Sequence, residues 1–169
     1  MVMMKGFTSK IQHRFFIALA NIVEEKSIET ISHTGTIYCG RLKNDIEIRL
    51  EEEADIYNPE TGRSFSSDIL VTLTSLTTGR KVKVSVEYNG ITWHKAWKDK
   101  KRSKKLNELG INVINVLGNK ELPDMRLVLK YINKYWGQNR VDWCRIKCAD
   151  YDDELYNNNV EYPKFRKKR

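Results

Sequence analysis

Two short segments constrain this chain more than any other: Asp68 to Ser75 (DILVTLTS) and Val82 to Asn89 (VKVSVEYN). Both alternate apolar and polar residues with period two, the pattern of a half-buried β-strand. Ile69, Val71 and Leu73 share one face of the first segment, and Val82, Val84 and Val86 share one face of the second. Between them, Thr77-Thr78-Gly79-Arg80 reads as a turn. With Thr78-Gly79 at the tip, Asp68 falls opposite Asn89 and Leu70 opposite Glu87. All six apolar residues then lie on one side of the hairpin. Asp68 and Glu87 share the other side as diagonal neighbours, roughly 7–8 Å apart or less. The hydrophobic pattern alone is expected to bring two carboxylates together.

Other elements are read around that hairpin. Ser9 to Glu25 is expected to be an amphipathic helix, capped by Thr8 or Ser9, with Ile11, Phe15, Leu19 and Ile22 at three- and four-residue spacing. Ile28 to Leu50 is strand-like, with turns expected at Gly35, Gly40 and Asn44-Asp45. Glu51 to Ser67, which contains Asn58-Pro59 and Gly62, reads as a loop. Ala96 to Leu109 is expected to be a basic helix stopped by Gly110, and the β-branched run Ile111 to Leu117 a buried strand. A last helix is placed over Pro123 to Tyr135, packing through Met125, Leu127, Leu129 and Ile132. This order predicts an α/β fold, a mixed β-sheet flanked by helices.

Charge narrows the partner. The chain has 169 residues, enough for one core, and a formal net charge of +8. Seven of the eleven residues from Lys95 to Lys105 are Lys or Arg, namely Lys95, Lys98, Lys100, Lys101, Arg102, Lys104 and Lys105. That field suits a polyanion, with nucleic acid ahead of an anionic membrane. No apolar run approaches bilayer-spanning length, and Met1 to Lys10 lacks the apolar stretch of a secretory signal. The three cysteines, Cys39, Cys144 and Cys148, leave one unpaired in any disulfide scheme, which suits a reducing, cytoplasmic setting. Cys144 and Cys148 lack the companions of a zinc site and read as small apolar fillers.

Two carboxylates held close together repel unless a cation lies between them. Hard oxygen donors suit Mg²⁺ or Mn²⁺, which polarise a phosphodiester and lower the pKa of a bound water. An imidazole nearby, here His94, can serve as general base or steady a leaving oxygen. Taken singly, each residue has a plainer reading. A lone acid at a strand end is usually a solvated edge, a lone histidine usually a surface or packing residue, and a lysine run usually a solvated face. His13 and His33 have no evident partner and are read as structural. The argument rests on the conjunction of acids, imidazole and basic helix.

One resemblance gathers these residues. Asp68, then Glu87, Tyr88, Gly90, Trp93 and His94, then Asp99, Arg102, Leu106 and Gly110 occur in the order and phase of a known nuclease core. They resemble the PD-(D/E)XK superfamily, in its branch of very-short-patch-repair endonucleases and EDxHD homing endonucleases of phages. The match covers about a third of the chain, from Asp68 to Leu117. It implies a restriction-endonuclease-like fold, with a core at 66–118 inside a nuclease domain at 1–140, a strand-rich insertion at 28–67 and a basic, aromatic extension at 141–169. It also implies Asp68 as the metal-binding aspartate, Glu87 as a second ligand at a variable position, and His94 and Asp99 as active-site partners. Gln12 stands near the place of the branch's helix-borne glutamate, with Glu24 or Glu25 as replacements only if the helix shifts. Asn89 stands where the wider superfamily carries its lysine, leaving Lys83 or Lys95 as substitutes.

The resulting expectation is an Mg²⁺- or Mn²⁺-dependent endonuclease acting on double-stranded DNA, of the homing type, phage-encoded and homodimeric. Target recognition is assigned to the 28–67 insertion and to Tyr131, Tyr135, Trp136, Trp143, Tyr156 and Tyr162. The rivals are a non-catalytic nucleic-acid-binding protein and a repair or RNA-processing nuclease.

Overall fold

The computed structural model describes residues 2–90 and 96–151, with side chains described for 10–89 and 98–151. His94, Lys95, Trp93, Tyr156 and Tyr162 lie outside those residues. The order of elements is α1 (Val2–Lys26), β1 (Glu29–His33), β2 (Ile37–Leu42), β3 (Ile46–Asn58), β4 (Arg63–Ser75), β5 (Lys81–Gly90), α2 (Ala96–Glu108), β6 (Ile111–Gly118), α3 (Met125–Trp136) and β7 (Trp143–Lys147). The seven strands form one mixed sheet in sequence order. β1 to β5 run as an antiparallel meander, and β6 and β7 then add in parallel. The expected α/β class holds, with helices on both faces of a mixed sheet.

Alternation decides which helix covers which face. Ile69, Val71 and Leu73 of β4 and Val84 and Val86 of β5 enter the larger core with Phe15, Phe16 and Leu19 of α1 and Val128, Leu129 and Ile132 of α3. The opposite face carries a smaller core, in which Leu106 of α2 meets Ala54, Ile56, Leu70, Ile111 and Val113. β6 is buried along its whole length because it has helices on both sides: Ile114 and Val116 face one core, Ile111 and Val113 the other.

Several expectations are corrected. The β4–β5 register pairs Ile69 with Val86, Leu70 with Ser85 and Val71 with Val84, two residues away from the expected one. The turn is longer than a two-residue tip: Ser75 N–H donates to Arg80 C=O, and Gly79 reverses the chain at φ 78°. A slip of two keeps every side chain on its expected face. The segment read as a 17-residue loop is mostly ladder, since β3 and β4 pair as far out as Asn58 and Arg63. Buried Ala54 and Ile56 on β3 repay that pairing despite the acidic residues around them. Gly40 lies inside β2 instead of at a turn, and glycine is needed there because a Cβ would come within 2.3 Å of the Tyr38 hydroxyl. α1 begins at Val2, so Thr8 and Ser9 lie inside the helix and not at its start. α3 begins at Met125, with the Asp124 carboxylate accepting the Arg126 N–H at 2.9 Å. Of its expected packing residues, Leu129 and Ile132 are buried while Met125 and Leu127 are only partly so, and Val128 and Tyr135 take their place. Trp143–Lys147, assigned from the sequence to the C-terminal extension, hydrogen-bonds to β6 as a strand of the same sheet. No helix among the described residues is long and apolar enough to cross a membrane.

Candidate active site and basic cleft

The ladder between β4 and β5 stops at Ile69–Val86, and side chains take over at the next position. Asp68 N–H donates to Glu87 Oε2 at 3.0 Å, and Tyr88 N–H donates to Asp68 Oδ2 at 2.9 Å. Each acid therefore caps a backbone donor released by the other strand, which answers the demand that buried N–H groups be satisfied. β3 is distorted at the same level. Glu53, facing Asp68 between the Glu52–Ile69 and Ala54–Ser67 pairs, has a left-handed φ of 52°. For a non-glycine residue that conformation costs about 1–2 kcal/mol.

Glu87 is the centre of the arrangement and is only 4% exposed. Besides the Asp68 N–H, its Oε2 accepts the Ser85 hydroxyl at 2.9 Å, and Ser85 Oγ in turn lies 2.6 Å from Ser67 Oγ. Its Oε1 accepts Arg102 Nε from α2. Arg102 also donates through Nη2 to the Ser66 carbonyl, and its Cζ stands 5.4 Å from the centre of the Phe65 ring. Burial pushes the Arg102 pKa down, but the charge and hydrogen bond of Glu87 and the charges of Asp68 and Asp99 outweigh it and leave it raised. Asp99, 3% exposed in the first turn of α2, is thus within electrostatic range of the same guanidinium.

Three predicted site residues, Asp68, Glu87 and Asp99, are therefore brought together. Gln12 is not joined to them by hydrogen bond; it lies on α1 with Nε2 buried and unpartnered. Asn89 is buried and donates to Asn115 Oδ1 at 2.9 Å, while Asn115 donates to Ser103 Oγ at 2.9 Å. That chain ties β5 through β6 to α2, a packing role at the position where the resemblance implies a lysine. Lys83 is exposed four residues back along β5, roughly 13 Å from Glu87 at strand rise. Glu24 accepts hydrogen bonds from Thr30 and His33 beside β1. His13, read as partnerless, bonds Glu52 at 2.7 Å.

A divalent ion would need carboxylate oxygens free of protein donors. Glu87 Oε1 already faces a guanidinium and Oε2 already takes two donors, so an ion placed on Glu87 in this arrangement would sit against Arg102. The residues do not fit a metal ion as they stand. Cysteine chemistry finds no support either. Burial pushes the Cys148 thiol up to about 12 and raises Cys39 and Cys144, which keeps these thiols protonated near neutral pH.

Beside the acids opens a cleft of about 450 Å³ lined by Phe65, Lys98, Lys101, Arg102 and Lys105. The four cations lie three, four and seven residues apart, hence on one stripe of α2. The adjoining stripe, Asp99, Ser103 and Leu106, is buried against the sheet side. Lys100 and Lys104 are exposed on the same helix. Of the aromatics assigned to recognition, Tyr135 is core, 3% exposed with its hydroxyl on the Val113 carbonyl. Trp136 is stacked under Arg80 at 4.6 Å, and Trp143 under Arg145 at 5.4 Å.

Sequence reasoning reached Arg102 as a phosphate contact and as a position of the nuclease motif, without its pairing to Glu87, and missed Ser66, Ser67 and Ser85. Ser85 could have been found, since it precedes Glu87 by two residues and so shares its strand face. Comparison with family models, curated proteins and solved structures found no match for this chain.

Proposed function

We propose that this chain is a DNA endonuclease of the kind its motif resembles. The supporting observation is the convergence of Asp68, Glu87 and Asp99 at the edge of a lysine-lined cleft. In this reading Lys98, Lys101 and Lys105 hold backbone phosphates without reading sequence, and Phe65 walls the cleft. The acids stand where the scissile phosphodiester would lie, with Mg²⁺ or Mn²⁺ the ion that the resemblance implies. One site cuts one strand, so a double-strand cut calls for a homodimer. The phage-encoded, site-specific form belongs to the same proposal.

The test is incubation with supercoiled plasmid and each divalent ion in turn. Wild type is expected to nick, Asp68→Ala to lose nicking, and both to bind duplex DNA with similar salt dependence. A second reading, a non-catalytic nucleic-acid-binding protein, draws on the engagement of Glu87 by protein donors and on Asn89 in the lysine position. Binding by wild type without cleavage of DNA or RNA under any ion would select it.

A further inference from the structure

The sheet forks beside the acids. β2 pairs with β3 only as far as Ile37–Glu51, and β5 pairs with β4 only as far as Ile69–Val86. β3 and β4 nevertheless stay paired beyond both limits, from Ala54–Ser67 out to Asn58–Arg63. No other described strand flanks that stretch, so it projects from the sheet as a two-stranded ribbon, roughly 17 Å from Asp68 to its last pair at strand rise. We propose that this ribbon enters the major groove of duplex DNA and reads base pairs there, with Arg63 as its principal specificity-determining residue. The inference rests on the nuclease reading for its substrate and narrows recognition from the 28–67 segment to one element. Sequence-selective binding can be measured without cleavage.

Three observations carry it. The first is size: a major groove about 12 Å wide and 8.5 Å deep admits a two-stranded ribbon. The second is placement. Ser66 C=O accepts Arg102 Nη2 from α2, and Phe65, under the same guanidinium, walls the basic cleft. Ala54 and Ile56 on the ribbon's inner face pack into the smaller core with Leu106 of α2. The ribbon is thus a fixed arm beside the cleft, and a duplex lying along α2 runs past it. The third is chemistry. Asp55 and Glu60 outnumber Arg63 among residues 54–67, so the ribbon carries one net negative charge and is not built to hold phosphates. Its outermost pairs instead expose hydrogen-bonding groups: Tyr57 is 62% exposed, and Arg63 and Ser64 are exposed opposite it. An arginine there suits guanine O6 and N7. The turn beyond is braced, since Asn58 accepts Gly62 N–H on its carbonyl at 2.9 Å and Glu60 N–H on Oδ1 at 3.0 Å, with Gly62 at φ 71°. A braced tip loses little conformational freedom on binding. The span from Asp68 to Arg63 also sets a position: the base pair read by Arg63 lies about five steps from the acids, at about 3.4 Å per step.

Two measurements on the full chain test it, both in chelator so that no strand is cut. In the first, wild type, Arg63→Gln and Tyr57→Ala/Ser64→Ala each select from a pool of randomised DNA duplexes, and the bound fraction is sequenced. Wild type is expected to enrich a preferred sequence containing a guanine, Arg63→Gln to lose the preference at that base pair, and the double variant to relax the neighbouring ones. In the second, fluorescence anisotropy compares the enriched duplex with a scrambled one. Arg63→Gln is expected to weaken binding of the enriched duplex about tenfold or more, with the scrambled duplex and the salt slope unchanged. The scrambled duplex also reports that the variant is folded. Failure of wild type to bind or to enrich any sequence would overturn the proposal, as would enrichment of the same sequence by all three proteins. An even loss across duplexes with a salt slope lower by about one would make Arg63 a phosphate contact and overturn it too. If ribbon-dependent selection is found but no ion ever supports cleavage, the nuclease reading alone has failed. If wild type nicks plasmid DNA but selects no sequence, only this inference has failed.

Discussion

Glu87→Gln distinguishes two electrostatic descriptions of the site by sign. If the acids dominate one another, removing a charge relieves repulsion and stabilises the fold, a common trade-off at functional sites. If Arg102 dominates, the same change destabilises. The attraction at contact, near 3 Å, is about 5–6 kcal/mol at an effective dielectric of 20. Repulsion from a carboxylate at roughly 5–6 Å, the span between opposed strand residues, is about 3 kcal/mol on the same scale. Attraction wins by roughly 2–3 kcal/mol, and the partial exposure of Arg102 reduces that further. The amide adds a second penalty. Every described donor to Glu87 (Asp68 N–H, Ser85 O–H and Arg102 Nε) needs an acceptor, and one of them would now meet an NH₂. A mismatched buried donor costs about 1–3 kcal/mol. The expected net loss is about 3 kcal/mol, read as a lower urea midpoint at unchanged slope and as a fall in Tm of roughly 6–12 °C for a chain of this size. Equal or greater stability of Glu87→Gln would refute the ordering of terms and mark the acids as a repelling cluster.

Replacing Lys98, Lys101 and Lys105 together by Gln is expected to weaken duplex binding evenly across sequences, and to reduce the slope of log K against log salt by about 2–3; fluorescence anisotropy at several salt concentrations checks it. Gly118→Ala places a Cβ 2.7 Å from both Cys148 Sγ and the Tyr88 hydroxyl, and is expected to cost about 1–3 kcal/mol in urea unfolding. Asp150 accepts backbone N–H groups from Asn119, Lys120 and Glu121; burial pushes its pKa up, but those bonds outweigh it and leave it below the ordinary 3.8. A depressed carboxyl stabilises above its unfolded pKa and loses that contribution as pH falls through the folded one. Asp150→Asn is therefore expected to be less stable than wild type near neutrality, with the gap closing as pH drops below about 3.8 in unfolding curves taken across pH.

What one stretch of chain could determine by itself was determined well. The period-two alternation of Asp68–Ser75 and Val82–Asn89 placed six apolar residues on one face and Asp68 and Glu87 together, and it survived a register error of two because parity alone decides the face. Gly110, at φ 82°, ended α2 where expected, since a left-handed stop is a local property. The β-branched run of Ile111 to Leu117 pointed to a buried strand, and β6 is buried along its whole length.

Where sequence reading failed, the deciding energy came from distant partners. Glu51 to Ser67 looked like a loop from its charges and breakers, yet pairing between β3 and β4 and burial of Ala54 and Ile56 made it a hairpin. Asn89 looked like a defective catalytic position, and its amide is committed to Asn115 on another strand. Arg102 stood out as a motif position and a phosphate contact among lysines, but nothing in the sequence paired it with Glu87. Only the docking of α2 on the β6 side of the sheet brings its guanidinium onto Glu87, fifteen residues away in the chain, because helix and strand residues fall into contact only once the sheet and its covering layer are assembled. Local pattern thus decided which faces exist and where the charges lie along them; tertiary packing decided which charge answers which.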